Sequence, residues 1–364
     1  MVEELTTRGG TTVGHDTELV GRILGQARAD VLEELGRIFK ERRRTGYGPL
    51  YDLLEDYPYR EGKGLRPAIC LAACRAVGGR TEQALVSATA LELFHNAFLV
   101  HDDVEDGSIF RRGKVTMLEA HGVPIAVNVG DATNVLAMGI LLRNTTAIGV
   151  RKALLVMREV ERMARESAEG QAIELGWITE DRFDLGDRDY VRMAYKKTCW
   201  YTVIAPLRIG VICGSEPGPL APLDDELAPL VELGFLAGIA FQISDDLLNL
   251  EADEVLYGKE TSGDLWEGKR TVMLLHFLSA ARARDRARAL RILRTPRTAK
   301  RPEDIEWMLE AMIEAGSLDH GRALAVEYSE RALAVEAEAL PGDSEDEDRR
   351  FLREMLLYVI ERVK

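Results

Sequence analysis

From Thr17 onward, apolar side chains recur at steps of three and four residues. Leu19, Ile23, Ala27, Val31, Leu35 and Ile38 form one such stripe, the mark of a long helix with one buried face. The same periodicity predicts helices near 64–78, 82–106, 117–142, 150–176, 187–214, 225–252, 269–284, 302–314, 317–339 and 346–361. Thr81 reads as an N-cap, with Glu82 in the first turn. Alternating β-branched runs bounded by Asn-Gly or Asp-Gly turns do not occur, so strands are not expected. Breaks fall at Gly78-Gly79, from Gly214 to Pro219 and from Pro341 to Asp343. The segment Arg294 to Arg297 with Arg301-Pro302 reads as an exposed loop, and Asp343 to Asp348 as a solvated acidic turn. The polar, Gly- and Thr-rich start, residues 1–16, reads as a mobile extension.

Two of the helices are apolar on nearly all sides, one running from Ala84 to Val100 and the other from Leu230 to Phe241. All-round hydrophobicity places a helix at the centre of a fold. A chain of 364 residues is long for one domain, but no shift in composition divides it. The expectation is therefore one all-α domain over residues 17–364.

Both central helices end in paired aspartates, as His101-Asp102-Asp103-Val104-Glu105-Asp106 and as Ser244-Asp245-Asp246-Leu247-Leu248-Asn249. Asp102 and Asp106 share a helix face about 6 Å apart. Like charges there repel, and a nearby helix C-terminus adds to the cost. Carboxylates clustered beside a buried core need cations. An all-oxygen set favours hard ions, Mg²⁺ above all, and Mg²⁺ typically takes one or two carboxylates plus ligand phosphates.

The chain carries 47 Lys and Arg against 61 Asp and Glu, a net charge of −14, which argues against general nucleic-acid binding. It leaves room for a local basic pocket. Lys63 and Arg66 precede a helix, Arg111 and Arg112 follow the first acidic cluster, Lys197 lies within a helix, and Lys259, Lys269 and Arg270 follow the second cluster. Around two metal clusters these suit two anionic groups, with Arg gripping phosphate bidentately and Lys acting as a point charge. Lys63 is not in a P-loop, because GxxxxGK[ST] is missing. The four cysteines, Cys70, Cys74, Cys199 and Cys213, have neither disulfide-framework nor zinc-site spacing and read as small core hydrophobes. Neither a signal peptide nor a charge-free apolar run of about 20 residues is found, so the expectation is a cytoplasmic protein with no transmembrane segment.

The string Asp102-Asp103-x-x-Asp106-x-x-x-x-Arg111-Arg112-Gly113 resembles the first aspartate-rich motif of the trans-isoprenyl diphosphate synthases, and Phe241-Gln242-x-x-Asp245-Asp246 resembles their second. Gly62-Lys63-x-x-Arg66-Pro67, Gly170-Gln171, Lys197-Thr198, Gly258-Lys259, Gly263-Asp264-Leu265 and Gly268-Lys269-x-Thr271 stand in family order. The resemblance implies antiparallel helices around a deep central cavity, a homodimer, and head-to-tail (1′-4) condensation of isopentenyl diphosphate with an allylic diphosphate. It also implies two to three Mg²⁺ per site. Asp102 and Asp106 would ligate Mg²⁺ from one wall and Asp245 from the other, supported by Asp103, Asp246 and Asn249. Arg111, Lys197, Lys259 and Gln242 would hold the allylic diphosphate, while Lys63, Arg66, His95 and Arg112 would hold isopentenyl diphosphate. Lys269 belongs to the same cationic set. Thr198 and Gln242 would lie near the developing cation, and Phe241 at the isopentenyl chain.

Three positions depart from the family pattern. Asn249 stands where many relatives have a third aspartate, Glu174 where aspartate is common, and Glu61 in place of one glycine of a pair. Below the first motif, Phe98 and Phe94 lie one and two turns back, and Ala97 is small. Bulky rings there shorten the product in this family. The favoured product is geranylgeranyl diphosphate, with fifteen or twenty-five carbons as alternatives, and Ala97→Phe is expected to shorten it. His101 reads as a packing neighbour of the metal wall, and Tyr195, Trp200 and Tyr201 as core. The rival readings are a class I terpene cyclase on the same fold and a non-catalytic partner subunit. A cyclase has no need of the second cationic set.

Overall fold

A computed structural model describes residues 16–216, 227–251, 262–340 and 345–362. The expected N-terminal extension up to residue 15, residues 217–219 of the Gly214–Pro219 break, the whole break at 341–343, and Lys259 lie outside the described residues.

The fold is all-α. In chain order the helices are α1 Thr17–Thr45, α2 Gly48–Tyr59, α3 Leu65–Ala76, α4 Thr81–Asp106, α5 Met117–His121, α6 Val123–Leu141, α7 Asn144–Ala147, α8 Gly149–Thr179 and α9 Asp187–Ala194. A π-helical segment, Tyr195–Ile204, follows and leads into α10 Ala205–Gly214. Then come α11 Ala228–Glu251, α12 Gly263–Glu267, α13 Val272–Ala280, α14 Ala283–Arg294, α15 Pro302–Glu314, α16 Ser317–Ala339 and α17 Glu347–Arg362. As expected from their all-round hydrophobicity, α4 and α11 are central: α4 packs on α3 and α6, and α11 on α16 and the π segment. Leu35, Phe39, Leu71 and Leu93 anchor one apolar core, and Trp200, Tyr190, Phe277 and Met308 anchor a second. Burial of each such side chain contributes about 1.5–3 kcal/mol. All four cysteines are buried and unpaired by disulfides.

Several expectations are corrected. Thr81 is the first helical residue rather than the cap. The N–H of Arg80 donates to the Gln83 side chain at 2.7 Å, and the Thr81 hydroxyl accepts from Arg75 at 3.2 Å. Two strands do form, β1 Phe110–Arg111 and β2 Lys114–Val115. At two residues each they are too short to show alternation, and the turn between them puts Arg112 and Gly113 at φ 53° and 72°. The segment Arg294 to Arg297 with Arg301-Pro302 is exposed or half-buried as expected, while Lys300 between its two parts is buried. Asp348, read as solvated, lies in the first turn of α17 and is gripped by Arg75 through Nε at 2.9 Å and Nη2 at 2.5 Å. The periodicity does not signal helix α2, because Pro58 and a mixed aromatic and acidic composition hide it.

Among the described residues one stretch, Val123–Ala147, is long and apolar enough to cross a membrane by length and composition, and 44% of its most apolar window is buried.

Candidate active site

A cavity of about 310 Å³ lies between the C-terminal ends of α4 and α11. On α4, His95, Leu99, Asp102 and Asp106 are spaced by three and four residues, and so form one stripe facing the cavity. On α11 the facing side chains are Phe241, Gln242, Asp245, Asp246 and Asn249. Glu174, Met193, Lys197, Thr198 and Tyr201 close a third side, and Asp264, Glu267, Lys269 and Arg297 a fourth. The two acidic clusters, 139 or more residues apart in the chain, thus line one hollow.

The second aspartate of each pair turns inward and is held by a tyrosine. Asp103 is fully buried. It accepts from the Tyr57 hydroxyl at 2.6 Å and from Arg111 through Nε at 2.9 Å and Nη2 at 2.5 Å. The Arg60 guanidinium donates to the carbonyls of Arg111 and Val115 at 3.0 and 2.7 Å, which pins the hairpin to α2. On the opposite wall Asp246 accepts from the Tyr190 hydroxyl and from Gln242 Nε2, both at 2.7 Å. Gln242 Oε1 in turn accepts from the Thr198 hydroxyl at 2.6 Å. Asn249 uses its side-chain oxygen to cap α12, accepting from the Asp264 N–H at 3.0 Å. Tyr57 and Tyr190 were missed in the sequence, since nothing local links them to aspartates 46 and 56 residues away.

The third wall owes its shape to the π segment, and such segments are rare and often functional. Its wider turn is admitted by glycines on both neighbours. A Cβ at Gly170 on α8 would collide with the Lys197 backbone, and one at Gly238 on α11 would lie 2.6 Å from Cys199 Sγ. Tyr201, read as core, lines the cavity with the Arg66 guanidinium 4.3 Å above its ring. Tyr195 and Trp200 do belong to the core. His101 packs away from the cavity, 3.4 Å from Asp131 on α6.

Electrostatics follow from burial and pairing. Burial raises the Asp102 carboxyl above its ordinary value, with Asp106 adding to it against the pull of Lys197. Burial acts the same way on Asp106, but Lys269 and Lys197 outweigh it and hold that carboxyl low. Asp246 is pushed well up, chiefly by burial and then by Asp264. Lys197 is buried yet raised, because Glu174 and Asp102 stabilise its charge, and Glu174 accepts its hydrogen bond. Near the other cationic set, Arg112 lies 3.3 Å from His95. Arg66 donates to Thr202 at 2.9 Å, and its buried Nε has no hydrogen-bond partner among the described residues. A buried donor of this kind calls for an acceptor from outside the chain.

Other predicted residues lie elsewhere. Lys63 is outside the cavity lining and donates to the Tyr358 hydroxyl on α17 at 2.9 Å. Phe94, Ala97 and Phe98 are also outside the lining. The Phe98 ring packs edge-on against Tyr201 at 5.6 Å and lies 6.4 Å from Phe94, so this pair backs the cavity wall.

The donor set suits a hard divalent ion, being made of carboxylate oxygens. Among the described residues no three carboxylate, imidazole or thiolate groups converge closely enough to cage an ion by themselves. Mg²⁺ typically keeps waters and shares its shell with substrate phosphates rather than relying on an all-protein cage.

The polyprenyl synthetase family profile matches residues 49–312, more than half of the chain. The chain belongs to the polyprenyl synthetase family. It is 30% identical over 351 residues, 94% of this chain and 99% of the other, to a geranylgeranyl pyrophosphate synthase of Geoglobus acetivorans. It is 34% identical over 274 residues, 75% of this chain and 79% of the other, to the octaprenyl diphosphate synthase of Escherichia coli. The crystal structure of a polyprenyl synthase from Caulobacter crescentus, complexed with calcium and isoprenyl diphosphate, superimposes with a TM-score of 0.80 at 27% identity, covering 95% of this chain and 98% of that one. The family membership makes this chain a prenyltransferase that depends on a divalent metal.

Proposed function

We propose that this polyprenyl synthetase joins isopentenyl diphosphate head to tail (1′-4) to an allylic diphosphate and releases geranylgeranyl diphosphate. The observation that carries the reading is that Asp102 and Asp106 share one cavity with Asp245, and that Lys197, Lys269, Arg66 and Arg112 line the same cavity. Two cationic sets suit two diphosphates.

Asp102, Asp106 and Asp245 are the residues to hold two to three Mg²⁺. Bound Mg²⁺ supplies Lewis-acid neutralisation of the leaving diphosphate. Lys197 and Lys269, with Lys259, hold that diphosphate as point charges. Arg111, clamped by Asp103, lines the cavity and contributes its charge there. Arg66, Arg112 and His95 grip isopentenyl diphosphate. The Thr198 hydroxyl spends its proton on Gln242, which leaves oxygen lone pairs for the electron-poor allylic carbon. Leu99, Met193, Tyr201 and Phe241 exclude water that would quench the cation. The allylic C–O bond breaks, the isopentenyl double bond supplies the new C–C bond, and the departing diphosphate takes the proton that is lost.

The rings of Phe98 and Tyr201 support a bounded product of twenty carbons. An apolar flank supports pairing with a second copy of the chain: Val135 and Leu142 near the end of α6, and Val150 and Leu154 at the start of α8, are 62–72% exposed. The test is incubation of the purified protein with labelled isopentenyl diphosphate and each allylic starter, with and without Mg²⁺. Elongated prenyl diphosphate is expected, and only with Mg²⁺. Hydrocarbon from one diphosphate alone would indicate a cyclase, and no turnover with any starter a partner subunit.

A further inference from the structure

Lys269 Nζ lies 2.8 Å from Asp106 Oδ2 and 2.8 Å from Glu267 Oε2, with Asp264 Oδ1 at 3.8 Å. The carboxylates come from two elements, α4 and α12, and only 19% of the lysine side chain is exposed. An ammonium is a compact point charge with three donors, and here Asp106 and Glu267 hold it directly while Asp264 adds its charge from further off. The turn that delivers it is rigid. The Lys269 N–H donates to the Asp264 carbonyl at 2.8 Å, and Lys300 Nζ donates to the Leu265 and Trp266 carbonyls at 2.9 and 2.6 Å. The burial that would discharge a lone lysine is overcome by Glu267 and Asp106, so the group stays charged.

We propose that Lys269 is an internal competitor of the divalent ion: the ammonium and the metal are alternative partners for Asp106. This rests on the prenyltransferase reading of the site. With no diphosphate bound, the lysine neutralises Asp106 and Glu267, and an ion alone gains little by entering. A metal-loaded diphosphate changes the balance. Its oxygens accept the ammonium while Asp106 turns to the metal, so the charge that guarded the carboxylates becomes part of the diphosphate site. Metal and diphosphate then bind together rather than one at a time, which is reciprocal coupling between two ligands.

The test is calorimetric titration of Mg²⁺ into the full chain, alone and with inorganic pyrophosphate. The proposal expects Lys269→Gln to bind Mg²⁺ alone about tenfold more tightly than the unsubstituted protein, within the usual range of such couplings. It expects Lys269→Arg, which keeps the charge, to stay within about threefold of it. With pyrophosphate present, the advantage of Lys269→Gln should vanish or reverse, because the lysine is then a diphosphate ligand. In an Asp106→Asn background the Lys269→Gln gain should be lost, which provides a second check if one variant folds poorly. Equal or weaker Mg²⁺ binding by Lys269→Gln in the absence of pyrophosphate would overturn the proposal. The titration involves no turnover, so its outcome is independent of whether the chain elongates a prenyl substrate.

Discussion

The Tyr57 hydroxyl donates to Asp103 at 2.6 Å in a fully buried position, and through that bond α2 holds the acidic end of α4. The same hydroxyl accepts the Met117 N–H at 3.0 Å, so one phenol joins three elements. Tyr57→Phe leaves a buried carboxylate oxygen and a buried N–H without this partner. The expected cost is about 1–3 kcal/mol in denaturant unfolding. Loss of activity should accompany it, because Arg111 and the hairpin share the Asp103 anchor. Unchanged stability would show that water replaces the hydroxyl.

Phe98 backs Tyr201 edge-on at 5.6 Å without lining the cavity itself. Phe98→Ala frees Tyr201 to move and deepens the hollow. The expected outcome is a product longer than twenty carbons, read by mass spectrometry of the extracted prenyl alcohols. Ala97 is fully buried and does not line the cavity. Ala97→Phe is therefore expected to act through overpacking of α4, at a cost of about 1–3 kcal/mol, as well as on chain length.

Burial, with Arg297 and Arg270 nearby, lowers the Lys300 amine from 10.5 to about 8. Between these values the unfolded chain binds more protons than the folded one, so this group makes stability rise with pH across that window. Below about 8 both states carry the charge and the slope disappears. The gap in unfolding free energy between the unsubstituted protein and Lys300→Met should shift in favour of the former from pH 8 to 10. Parallel pH curves would contradict it.

Val135→Glu and Leu154→Glu place charges on the exposed apolar flank of α6 and α8. If that flank pairs two chains, each variant should sediment at half the mass of the unsubstituted protein while keeping its helical spectrum. Dimers that persist in the double variant would place the contact elsewhere.

Much of this was legible in the sequence because it is local. The helix predicted at 82–106 forms as Thr81–Asp106 and ends at Gly107 in the left-handed region, and 302–314 and 317–339 form at their predicted limits. The aspartate clusters announce themselves, since carboxylates at the end of an apolar run have no cheap structural role. What stayed hidden is tertiary. The π segment needs Gly170 and Gly238 to approach it from other helices. Asp103 and Asp246 read as metal-site carboxylates, and only the fold shows each bonded to a distant tyrosine. Asn249 reads as a weakened ligand, and the structure gives its oxygen to the Asp264 N–H.

The central claim is that Asp102 and Asp106 on one wall and Asp245 on the other serve a single metal–diphosphate assembly. Anomalous diffraction from crystals soaked in Mn²⁺ and inorganic pyrophosphate tests it most directly. The account predicts manganese peaks within ligand distance of Asp106 and of Asp245, bridged by one pyrophosphate, with Lys269 moved off Asp106. Peaks confined to surface carboxylates, or a pyrophosphate bound without manganese between the two walls, would contradict it.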